Sequence, residues 1–110
     1  MTEQRTRADR VALATAVRDA VLGVDGVAGL STGGPVEVAT LYAGGKVSGV
    51  RLADDLVEVH VTVDAVPIEP LGERIRAAVR SVLERAGADR PVEVVVDDVD
   101  LAALTAETRR

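Results

Sequence analysis

Enzymes draw on a nucleophile beside a base, carboxylates paired in a cleft, or a cluster of metal ligands. This chain holds little of that inventory. It has one histidine, His60, and no cysteine, tryptophan or phenylalanine. His60 lies in Leu56 to Val63, where Val57, Val59, Val61 and Val63 alternate with Leu56, Glu58, His60 and Thr62. A period of two places the imidazole opposite the valines, beside Glu58 and Thr62. A solvated strand residue is the plain expectation there. At an interface the same ring would titrate near neutral pH and make binding pH-sensitive. Metal binding needs two or more converging ligands, so a lone histidine does not make a site.

Other chemical signals are weaker. Asp97-Asp98-Val99-Asp100 resembles part of a calcium loop but lacks the glycine and the distal glutamate at the required spacing. Alternation along a strand would also send Asp97 and Asp98 to opposite faces. Gly33-Gly34 and Gly44-Gly45 have no following Lys-Ser/Thr to make a phosphate loop. Ser31, Ser48 and Ser81 lack a nucleophile-elbow setting. No catalytic, cofactor-binding or metal-ligating residue is therefore assigned, and the chain is expected to be no enzyme.

The elements that position these residues follow from periodicity. The apolar share is 47%, ample for one core in 110 residues. Ala8 to Leu22 carries a helical stripe of Val11, Ala14, Val17, Ala20 and Val21, with Gly23 and Gly26 as stops. Val24 to Leu30 reads as a tight loop on the core. Three strand-like runs follow, Val36 to Tyr42, Lys46 to Leu52 and Leu56 to Val63. They are separated by Ala43-Gly44-Gly45 and Asp54-Asp55, and such short turns predict an antiparallel meander. Pro70 suits a helix start, Leu71, Ile75, Val79, Val82 and Leu83 form its stripe, and Gly87 caps it. Val92 to Val96 is a last strand, reached from the third by a crossover that predicts parallel pairing.

These readings define an α+β, two-layer α/β fold. A four-stranded mixed sheet carries two helices on one face, in the order α-β-β-β-α-β. Residues 1–7 are expected as a disordered arm, 8–100 as a single domain, and 101–110 as a short helical turn and tail.

Charge bounds the partners. The net charge of −5 argues against a nucleic-acid backbone, which calls for a basic stripe. Twelve arginines and Lys46 supply the basic charge, and Arg74, Arg76, Arg80 and Arg85 fall on the second helix. The third strand and its ends carry Asp54, Asp55, Glu58 and Asp64, and the last strand region adds Glu93, Asp97, Asp98 and Asp100. Two opposed patches of this kind favour association. The candidate partner interface comprises Arg51, Glu58, His60, Thr62, Glu93 and Val95 on the outer sheet face, with Arg74, Arg76 and Arg80 on the helix. An RNA- or nucleic-acid-binding domain using the Arg-rich helix is the alternative. Stacking aromatics are absent apart from Tyr42. No apolar run approaches the roughly 18–20 residues that span a bilayer. The first ten residues are polar, without the apolar stretch of a signal peptide, so the cytoplasm is the expected location.

Four segments, in order, resemble the alkaline shock protein family of bacterial envelope-stress proteins, also called the Gls general-stress family. They are Val24-Asp25-Gly26-Val27-Ala28-Gly29-Leu30 after the first helix, Gly49-Val50-Arg51-Leu52, the helix around Ile75-Arg76 and Val79-Arg80, and the closing Val92-Glu93-Val94-Val95-Val96-Asp97-Asp98-Val99. The resemblance implies a non-enzymatic cytoplasmic scaffold that self-associates. It also implies docking to a small integral membrane anchor protein at the inner face of the cell membrane, with no cofactor.

Overall fold

The computed structural model describes residues 2–31, 38–42, 45–53, 55–64 and 68–100. The chain runs α1 (Thr2–Leu22), β1 (Val27–Leu30), β2 (Ala39–Tyr42), β3 (Gly45–Ser48), β4 (Val50–Leu52), β5 (Val57–Val63), α2 (Ile68–Arg85) and β6 (Val92–Val99). The expected α+β class and four-stranded mixed sheet are both present.

β5 is the centre of that sheet. β6 lies parallel along one edge, which places the last strand beside the third strand-like run. The other edge is shared end to end by two short antiparallel strands. β4 pairs with residues 57–59 and β1 with residues 61–63. The seam falls at His60, whose N–H donates to Gly49 C=O at 2.9 Å and whose C=O accepts from Ser31 N–H at 2.8 Å. Gly49 makes this junction possible. Its φ is +82°, and a Cβ there would lie 2.8 Å from Leu30 Cβ and 2.9 Å from Ser31 O. Only glycine fits such a backbone approach without displacement.

Gly49 also explains where the expected meander fails. It splits the second run into β3 and β4. β3 pairs with β2 as a separate two-stranded sheet, and β4 alone joins β5. The fourth member of the main sheet is β1, in a segment expected as loop. Four residues containing Gly29 are too short for alternation to announce a strand. Positive φ at Gly26 (98°) turns the chain into β1, as Val27 N–H donates to Val24 C=O at 3.2 Å.

The expected disordered arm is also revised, because α1 starts at Thr2. Polarity in residues 2–7 removes the apolar stripe from the pattern but does not forbid a helix. Glu3, Gln4, Arg5 and Arg7 are good helix formers by type. α2 ends as expected at Gly87 (φ 68°). Ala88 N–H reaches Leu83 C=O and Gly87 N–H reaches Glu84 C=O, the paired bonds of a Schellman cap. The expected turn at 101–110 lies outside the described residues, as do residues 36–37, 43–44 and 54 of the expected strands and turns.

Both helices cover the valine face of the sheet. Val57, Val59, Val61 and Val63 are fully buried against Val17 and Val21 of α1 and Leu71, Ile75, Val79 and Leu83 of α2. Full burial of each such side chain stabilises by about 1.5–3 kcal/mol. Side chains also brace the layers, with Arg10 donating to Leu52 C=O at 3.2 Å and Arg90 to Ala53 C=O at 2.6 Å. Among the described residues, no element packs over the sheet's other face.

Candidate interaction face

That uncovered face is built by alternation. With the valines turned inward, β5 presents Glu58, His60 and Thr62 outward. In parallel register Glu93 lies beside Glu58 and Val95 beside His60, while Arg51 of β4 pairs with Glu58. Six of the nine expected interface residues therefore share one face. Arg74 and Arg80 are exposed on α2, across the sheet from them. Arg76 is half-buried and occupied, with Nε donating to Val92 C=O at 3.3 Å and Nη1 to Glu73 Oε1 at 2.6 Å.

His60 departs from the solvated state expected of it. Its side chain is 11% exposed, between Glu58 at 18% and Asp97 at 21%. Nε2 lies 2.5 Å from Glu58 Oε2 and Nδ1 lies 2.7 Å from Asp97 Oδ2. An ionised carboxylate only accepts, so with both carboxylates charged the arrangement favours the imidazolium, in which both ring nitrogens donate. Burial acts to lower its pKa, but the hydrogen bonds and charges of Glu58 and Asp97 outweigh it and hold the pKa above 6.5. Arg51 Nη1 stands 3.7 Å from the second oxygen of Glu58, adding an exposed cation to the row.

Asp97 was absent from the expected interface. It lies one residue beyond the expected strand Val92 to Val96, and alternation from the inward Val96 turns it outward beside His60. Beyond it the pairing shifts, since Val61 pairs with Val96 but Thr62 pairs with Asp98. One extra residue changes the alternation. Asp98 joins Asp97 on the outer face, and Val99 returns to the core beside Val63. Asp98 Oδ1 accepts from Val99 N–H at 2.9 Å. Strict alternation carries Asp97 outward but would turn Asp98 inward and Val99 outward, and no residue type in Val96-Asp97-Asp98-Val99 demands the bulge that alters this.

The geometry limits the chemistry. Glu58 and Asp97 approach opposite ring nitrogens, so one ion cannot be held by all three side chains together. Among the described residues no group of three or more His, Asp or Glu side chains could hold a metal ion. Two larger grooves lie elsewhere, one between α1 and α2 and one between the start of α2 and β6, and neither is lined by His60. No described helix is long and apolar enough to cross a membrane.

No family profile matches the chain, and no curated protein sequence does. Among solved structures, a double variant of the MamM CTD is similar to it. The TM-score is 0.50 at 17% identity, over 86% of this chain and 98% of that one. At this identity the likeness establishes a shared fold and nothing finer.

Proposed function

We propose that this chain is a non-enzymatic interaction module that works through the outer face of its sheet. The observation carrying this reading is the row Arg51, Glu58, His60 and Asp97. Glu58, His60 and Asp97 are paired and largely desolvated, with the exposed Arg51 beside them, on a face that no described element covers. Organising charges this way costs side-chain entropy, and a prearranged polar surface recovers that cost on binding. Two further features support the reading. Both nitrogens of His60 are engaged, leaving no lone pair to take a proton from a substrate. The acidic sheet face and the exposed Arg74, Arg80 and Arg85 of α2 have opposite charge and lie on opposite sides, which suits head-to-tail self-association.

The partner is a membrane-anchored protein and the setting is envelope stress, as the alkaline shock resemblance implies. Two measurements test this. Amide chemical shifts followed through a dilution series should move at 51, 58, 60 and 93–98 and on the exposed face of α2. Shifts confined to the α1–α2 groove would contradict the assignment of the face. In cells the protein should leave the membrane fraction when the anchor is deleted. Unchanged location would remove the anchor from the account.

A further inference from the structure

β6 has a second edge. Its ladder to β5 includes Val57 N–H donating to Pro91 C=O at 2.9 Å. Pro91, Glu93 and Val95 therefore turn their backbone polar groups inward, and Val92, Val94 and Val96 turn theirs outward. Arg76 takes the Val92 carbonyl. Among the described residues no strand pairs with this edge. At eight residues β6 is the longest strand of the fold, and no proline or lysine interrupts it.

The edge opens onto a groove of about 520 Å³, with Ile68, Pro70 and Gly72 of α2 facing Val94 and Val96. Ile68 is 39% exposed, an apolar surface at the mouth. Carboxylates flank the edge on both sides of the sheet. Glu69 and Glu73 stand on the helix side, with Glu93, Asp97 and Asp98 on the other. Among the described residues, the one cation lining the groove, Arg76, is paired with Glu73.

We infer that the open edge of β6 accepts an extended basic peptide segment of a partner protein as an added strand. Alternate apolar side chains of that segment enter the groove beside Ile68, Val94 and Val96. The intervening basic ones lie over Glu93, Asp97 and Asp98. Main-chain hydrogen bonds supply affinity and the alternation supplies specificity. A second copy fits less well, because its β6 would bring another Glu93, Asp97 and Asp98 to the joint. This inference rests on the interaction-module reading and names the class of partner.

The test is fluorescence anisotropy on the full chain with a labelled peptide of alternating Lys and Val, about eight residues long to match the edge. Binding should weaken with salt, and a Glu/Val analogue should bind at least about tenfold less tightly. N-methylation of alternate peptide residues should abolish binding in one phase and spare it in the other. Val94→Pro, which removes an outward N–H, should reduce binding at least about fivefold with the ladder to β5 intact. If that variant fails to fold, Glu93→Lys on the exposed surface should reverse the preference to the Glu/Val peptide. Equal binding of the two peptides, indifference to both methylation phases, or no binding of the Lys/Val peptide would overturn the proposal. Salt-sensitive self-association surviving that failure would leave the interaction-module reading standing. Its absence as well would bring down both.

Discussion

His60 is where charge, burial and topology meet. Its ring is held by one carboxylate from its own strand and one from the neighbouring β6, and its backbone closes the seam between β1 and β4. Raising the folded pKa above the ordinary value gives stability a definite pH dependence. The contribution is complete below about pH 6.5, the value for an unperturbed imidazole. It is lost as pH rises through the higher folded value. Wild type should therefore lose melting temperature on alkalisation through that range, and His60→Gln should flatten the slope. Glu58→Gln and Asp97→Asn should each move the imidazole titration down, read from ring proton shifts, because each removes an anionic acceptor. Each should also destabilise by about 1.5–3 kcal/mol near pH 6 in urea unfolding, a typical loss for a hydrogen bond to a charged group. A titration unmoved by either variant would mean that the carboxylates do not hold the ring. Glu58 as a neighbour was legible from the alternation of β5. Asp97 was not, since the expected last strand stopped at Val96 whereas β6 runs on to Val99.

At the scale of elements, what was legible follows how much periodic sequence each contains. α2 and β5 have long unbroken apolar patterns, and both are found close to their expected spans. β1 has four residues, one of them Gly29, and takes its identity from the edge of β5 that it completes. The second run looked continuous because Lys46 to Leu52 has no residue type that forbids a strand. Gly49 broke it through φ and close approach, which sequence alone does not display. Gly49→Ala accordingly tests the seam. The added methyl meets Leu30 and Ser31 in a backbone region unfavourable to L residues, so a loss of about 2–4 kcal/mol is expected in chemical denaturation. A loss under about 0.5 kcal/mol, the scale of an ordinary surface substitution, would show that β1 and β4 do not abut there. Ile75→Ala, at a fully buried position on α2, should cost about 2–5 kcal/mol by the same measurement.

As a whole molecule the protein is a two-layer body with unlike sides. Helices and a valine core make one side, and an ordered polar row makes the other. Nothing in composition distinguishes this from an even scatter of charge. The separation arises because α2 carries exposed arginines while β5 and β6 turn carboxylates to the far face of the sheet. The central claim is that these sides recognise one another and a partner. Sedimentation velocity across protein and salt concentration tests it most directly, with wild type, a Glu93→Lys/Asp98→Lys variant and an Arg74→Glu/Arg80→Glu variant. The account predicts that wild type associates at low salt and dissociates as salt rises, that each variant alone stays monomeric, and that mixing the two restores association. Wild type that is monomeric throughout, or whose association is indifferent to salt and to both variants, would contradict it.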